Sequence, residues 1–176
     1  MKAKNLEELF AEELKDLYDA EQQILEALPK VSAAASSREL KKALDEHQKL
    51  TRKHVSRLEE VFELCGVEPE RKKCKGMAGL LAEGEGVLKA DMPSEIKDAA
   101  IIAATQRVEH YEMAVYGSLR SYAQVLGDIE SARLLQSTLD EEGDADRTLT
   151  QIAEFSINAQ AASRSNGKRE GVASLR

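Results

Sequence analysis

The chain has 176 residues and a formal net charge of −7, with 42% hydrophobic and 32% charged residues, three Pro, three Phe and no Trp. So few aromatics and turn formers speak against a sandwich or barrel, and the acidic excess speaks against a nucleic-acid binder, which needs clustered Lys and Arg. No apolar run approaches the ~18 residues of a membrane span. Met1 to Glu8 has no apolar stretch of a signal peptide, so the expected address is the cytoplasm, with Cys65 and Cys74 as free thiols.

Helical periodicity runs through nearly the whole chain. Asn5 is the expected cap of a first helix reaching the Ala33–Ala35 region, with Pro29 predicting a kink or a break just before it. Ser37 caps a second helix from Arg38 to about Cys65, stopped by Gly66 and Pro69. A polar, basic connection over 68–76 leads to a short helix from about Met77 to Lys89, interrupted by Gly79, Gly84 and Gly86. Pro93 and Ser94 reset the chain for a third long helix, Glu95 to Val125, ending at Gly127. Asp128 then caps a fourth, continuing to about Ala162. Two long hairpins joined by a connection that can travel the bundle's length predict an all-α, ferritin-like four-helix bundle over residues 1–162, with a short extra helix in the crossover. The basic tail, 163–176, is expected to be disordered.

The informative residues are polar ones on stripes that should be apolar. On the first helix Leu14 and Leu17 lead to Glu21, then Ile24 or Leu25, then Leu28. On the second, the seams run Leu40, His47, His54, Val61 and Leu44, Thr51, Leu58, Cys65. The third carries Ile102, Thr105, Glu109, Glu112, Tyr116 and Leu119 on one face, and the fourth Leu135, Leu139, Glu142, Asp146, Leu149 and Ala153. Any one of these is ordinarily a snorkelling or carbonyl-bonded side chain. Together they lie near the midpoint of every long helix, and burying one unpaired carboxylate costs several kcal/mol against a total stability of only ~5–15 kcal/mol. Carboxylates meeting at one depth need cations. Glu21, His47, Glu109, Glu112, Glu142 and Asp146 are therefore the expected metal ligands, with Thr51 and His54 as further candidates. Mixed carboxylate and imidazole donors suit iron or manganese and tolerate zinc, and five carboxylates suit two bridged ions.

Other residues have two readings. Tyr18 and Tyr116 border the expected site as partners of ligands or as core. His110 points away from Glu109 and reads as surface. Cys74 lies in Arg71-Lys72-Lys73-Cys74-Lys75, whose cations would lower its thiol pKa and open a redox-sensing role.

The strings Asp19-Ala20-Glu21-Gln22, Arg107-Val108-Glu109-His110-Tyr111-Glu112 with Tyr116-Gly117, and Leu139-Asp140-Glu141-Glu142 with Asp146 resemble the YciE/YciF-type ferritin-like proteins over about residues 5–160. The resemblance implies a stress-associated bacterial bundle, usually a homodimer, related in fold to rubrerythrin and ferritin, with no assigned activity. Glu109 and Glu112 match the Glu-x-x-Glu of the third rubrerythrin helix. Thr51 and His54 stand where that fold usually has Glu-x-x-His, and Glu142 with Asp146 replaces a second such pair. A dinuclear, most naturally iron, centre that oxidises Fe(II) or reduces peroxide is the first functional expectation, with dioxygen or peroxide as the small oxidant. A manganese centre with catalase-like chemistry is a second. A structural or interaction protein with a vestigial metal site is the alternative from another class. Leu6, Leu9, Phe10 and Leu14 form a wider apolar face than one seam requires, which also predicts a homodimer.

Overall fold

The structure, a computed structural model, describes residues 3–163. Five α-helices follow one another: α1 (Leu6–Ala34), α2 (Arg38–Leu64), α3 (Lys75–Lys89), α4 (Ser94–Leu126) and α5 (Ile129–Ile152), which passes into a π-helical turn, Ala153–Ile157. No strand occurs among the described residues. None of their helices is long and apolar enough to cross a membrane. The expected tail lies outside them, except for Ser163.

The expected caps form where short polar side chains precede apolar periodicity. Asn5 accepts from the Glu8 N–H at 2.8 Å, Ser37 from Leu40 at 3.3 Å, and Asp128 from Ser131 at 3.0 Å. Gly127 closes α4 at φ 79°, a left-handed conformation that a side chain would strain. Of the kink or break expected at Pro29, the break does not occur: α1 continues through it, with one intrahelical bond lost and Leu28 packed in the core. The last long helix is interrupted by the π turn, for which its composition holds no signal.

Contacts at the helix ends fix the topology. Asp98, in the first turns of α4, accepts from the backbone N–H groups of Ser36 and Ser37 at 2.8 Å each, tying the start of α4 to the α1–α2 turn. At the opposite end Cys65, which closes α2, lies 3.7 Å from Asp128, which opens α5. The connection from Cys65 to Pro93 therefore runs the full length of the bundle. Helices α1 and α4 are antiparallel, as are α2 and α5. This is the ferritin-like variant of the four-helix bundle, with α3 lying across α1 and α4 as the crossover.

The crossover is pinned by one buried acid. Asp19 of α1 accepts from the Cys74 N–H at 2.8 Å, from Arg71 Nε at 2.8 Å and from Gln23. Cys74 itself is fully buried and caps α3, its thiol 3.0 Å from the Tyr111 hydroxyl. Burial pushes that thiol up, against the expected lowering by its basic neighbours: Arg71 and Lys72 turn to Asp19 and Glu12 instead. A thiolate-based sensor does not fit this position.

Candidate metal centre

Every stripe named above delivers its polar residue inward, and the distances follow from helical spacing. Residues seven apart on α2 differ by only ~20° in direction, so His47 and His54 both face the bundle axis, with ring centroids 6.5 Å apart. Glu109 and Glu112, three apart on α4, flank the same axis from across the bundle. Glu21 enters from α1 and Glu142 from α5. These six residues are at most 5% exposed.

Their donor atoms gather into two sets. One comprises His47, Glu109, Glu112 and Glu142, and the other Glu21, His54 and Glu142; within each set all the donor atoms lie within 4.8 Å of one another. Glu142 belongs to both. His54 Nδ1 is 2.8 Å from one Glu142 oxygen and 3.7 Å from Glu21, and His47 Nε2 is 3.4 Å from Glu109. None of these contacts is a well-angled hydrogen bond. Both oxygens of Glu109, Glu112 and Glu142, one oxygen of Glu21, both ring nitrogens of His47 and Nδ1 of His54 are buried without a hydrogen-bond partner. Buried polar atoms are otherwise nearly always satisfied.

The electrostatics record the crowding. Burial first, then the neighbouring Glu142 charge, pushes Glu21 up to about 8 despite the opposing pull of His54. Glu109 and Glu112 lie well above the carboxylate range for the same two causes. Burial would raise Glu142 too, but the His54 contact and the charges of His47 and His54 hold it below its ordinary value. Burial lowers His47, whereas Glu142 and Glu21 outweigh burial at His54 and raise it.

A supporting layer surrounds the six. The Tyr116 hydroxyl donates to Glu21. Arg57 grips both oxygens of Glu141 at 2.6 and 2.8 Å, and Glu141 in turn faces His54 Nε2 at 2.9 Å. Chiefly through Arg57, Glu141 is drawn down to about 2. An ionised carboxylate only accepts, so Nε2 of His54 carries the proton and Nδ1 is the nitrogen turned to the cluster. Arg57 and Glu141 are not among the residues singled out by the stripes.

Asp146 does not join either set. It lies one turn beyond Glu142, rotated by ~40° and shorter by one methylene, and Gln106 of α4 intercepts it at 3.0 Å. Thr51 is buried, and its hydroxyl bonds back to the His47 carbonyl at 2.9 Å. Tyr18 is not a partner of the cluster; its hydroxyl donates to Glu59. His110 is exposed and bonds the Gln106 carbonyl.

Residues 5–162 match a family described as a domain of unknown function, DUF892. The chain is 39% identical over 162 residues to Protein YciF of Escherichia coli strain K12, covering 92% of this chain and 98% of that protein. The crystal structure of the E. coli stress protein YciF matches with a TM-score of 0.86 at 39% identity, covering 89% of this chain and 99% of that one. YcfI of Rhodopseudomonas palustris matches at 0.82 and 38% identity, over 85% and 96% of the two chains.

Proposed function

The chain belongs to the DUF892 family, and we propose that it is a stress-associated ferritin-like protein whose bundle centre would hold two iron ions, with Glu142 common to both ligand sets. One observation carries the reading: buried, unpartnered carboxylate and imidazole atoms form two ligand sets that share one carboxylate. Glu21, Glu109, Glu112 and Glu142 with His47 and His54 make four carboxylates and two imidazoles. That is the donor tally of the dinuclear carboxylate bundles, reached with both histidines on one helix instead of one on each of two. Four carboxylates also neutralise two divalent ions. Manganese fits the same donors, and zinc is tolerated.

When bound, two iron ions would supply two electrons, enough to take dioxygen to peroxide or peroxide to two waters. The protein's own contribution is geometric and electrostatic. Glu142 is held between the two histidines, Glu141 and Arg57 fix the tautomer of His54, and Tyr116 fixes Glu21. Burial excludes bulk water and strengthens each of these contacts.

A purely structural polar layer is the competing reading, favoured by the well-satisfied Arg57–Glu141–His54 chain. The unpartnered atoms of Glu109 and Glu112 oppose it. Metal analysis of protein produced in iron-supplemented medium, followed by dioxygen and peroxide consumption, separates the two. About two iron ions per chain with consumption of either oxidant supports the centre, and a metal-free, inert protein supports the structural layer. The same reading places the protein in the cytoplasm as a homodimer. Of the face expected to carry it, Phe10 and Leu14 belong to the chain's own core, while Leu6 and Leu9 are half-buried at the start of α1, leaving a smaller apolar surface that a second copy would cover. Sedimentation at micromolar concentration should give twice the chain mass, and a monomer would count against the dimer.

A further inference from the structure

We propose that the apolar cavity beneath α3 is a binding site for one small apolar molecule of about dioxygen's size, opening directly onto His47 and Glu109. The assignment of what lies at its inner end rests on the proposed centre; the cavity itself does not. It occupies about 50 Å³ between α1, α3 and α4, walled by aliphatic side chains such as Leu28, Leu81, Val87, Ile101 and Val108. That is on the order of a third of the ~150 Å³ apolar cavity that stays dry and takes up xenon or benzene, so it suits a diatomic and not an organic substrate. The polar side chains of its wall are Thr105, whose hydroxyl is spent on the Ile101 carbonyl at 3.0 Å, and His47 and Glu109, both buried and both with unpartnered atoms. An apolar chamber that ends on unpartnered ligand atoms is a place to present a molecule to them.

The cavity also has an outer mouth. Ala27, Val31, Leu81, Gly84 and Leu88 line both it and a vestibule of about 350 Å³ between α1 and α3, where Glu26, Lys30 and Glu85 meet water. A polar solute is stripped of hydration on passing from vestibule to cavity, whereas an apolar one gains by the move. A separate opening of about 180 Å³ reaches the same His47 and Glu109 from the other side, past Glu46, Glu141 and Asp144. Cations and peroxide keep that acid-edged approach when the apolar one is closed.

Gly84 sits where the cavity can be closed without touching the ligand atoms. A Cβ there meets nothing within 4 Å, and replacing glycine inside a helix favours the helix. The test uses the full chain, metal-stripped and as purified, under xenon pressure with carbon-13-labelled methyl groups. Saturable shifts are expected at Leu81, Ile101 and Val108 in both forms, and their loss in Gly84→Leu and, from the facing helix, in Ala27→Leu. No shift in wild type, or shifts that survive both substitutions, would overturn the proposal. With Fe(II)-loaded protein, both variants should load as much iron as wild type and consume dioxygen more slowly while consuming peroxide at the wild-type rate. Equal slowing with the two oxidants would also overturn it. If the chain takes up no iron at all, the dinuclear reading fails, and the xenon shifts still decide whether the cavity binds.

Discussion

His54 has two ring nitrogens with different neighbours, and that difference decides which of them a cation would meet. Nε2 is committed to Glu141, which Arg57 holds ionised through two short hydrogen bonds, while Nδ1 faces Glu142 and Glu21. His47 has no such anchor; both its nitrogens are without partners. Glu141→Gln should therefore disturb one half of the centre selectively. The amide can still accept from Nε2 but withdraws the charge and one oxygen from Arg57. Loss of an outer partner of this kind ordinarily costs ~10–100-fold in metal affinity. Competition with a chelator should show that loss for about one ion per chain, with the other retained. Equal weakening of both ions, or of neither, would mean that Glu141 serves packing only. The contrast between these residues also marks what periodicity can read. Glu21, His47, His54, Glu109, Glu112 and Glu142 are legible because a 3.6-residue repeat places each on an apolar face. Asp146 is over-read because the same repeat fixes a direction only to tens of degrees and cannot see Gln106 on the facing helix. Arg57 and Glu141 escape because their pairing spans 84 positions and each, on its own helix, looks like surface.

The crossover shows the same limit at the scale of elements. Its existence follows from the stop signals at Gly66 and Pro69 and from the length of chain available before Pro93. Its attachment does not follow, because the anchor Asp19 lies 55 residues before Cys74. Asp19→Ala leaves the buried Cys74 N–H without its acceptor and frees Arg71, a loss of ~1–3 kcal/mol for the unsatisfied donor alone. For a chain of this size that corresponds to a fall in Tm of ~2–12 °C. Amide exchange should quicken first in α3, which has only Met77 fully buried among its fifteen residues, with little change at the middle of α4. Uniform loss of protection across α1, α4 and α5 would instead make Asp19 part of the global core. The π turn after Ile152 remains without a sequence rationale: Ala153 and Ile157 are buried on it, yet nothing in Ala153–Ile157 distinguishes it from an ordinary helical turn.

At the scale of the whole molecule, the same acids that would hold metal make the metal-free protein sensitive to pH. Glu21, raised to about 8 in the fold, keeps its proton over a range in which the unfolded chain, titrating near 4.3, has lost it. Glu109 and Glu112 shift in the same direction. Through these three carboxyls the folded state binds more protons than the unfolded one, so their contribution to stability is full below about pH 4 and declines as pH rises toward 8. His54, also raised, adds to the decline above its ordinary value, and His47, lowered by burial, opposes it near pH 6.5. Glu141, held near 2, is ionised in both states from pH 5.5 to 8 and leaves the slope unchanged. Metal reverses the sign. Its ligands must be deprotonated, so affinity grows with pH, and binding to the folded state stabilises it by mass action. Thermal melts from pH 5.5 to 8 should show Tm falling for the metal-free chain and a metal-induced gain that widens over the same range. Glu112→Ala removes one of the raised carboxyls and one ligand. It should flatten the metal-free decline, leave the metal-free variant at pH 8 as stable as wild type or more so, and abolish most of the gain on adding Fe(II) or Mn(II). Lys42→Ala, at an exposed position on α2, should follow wild type throughout. A metal-free chain that gains stability toward pH 8, with Glu112→Ala destabilised at every pH and no effect of metal on either, would show that the acids are held by one another through shared protons and that the layer is structural.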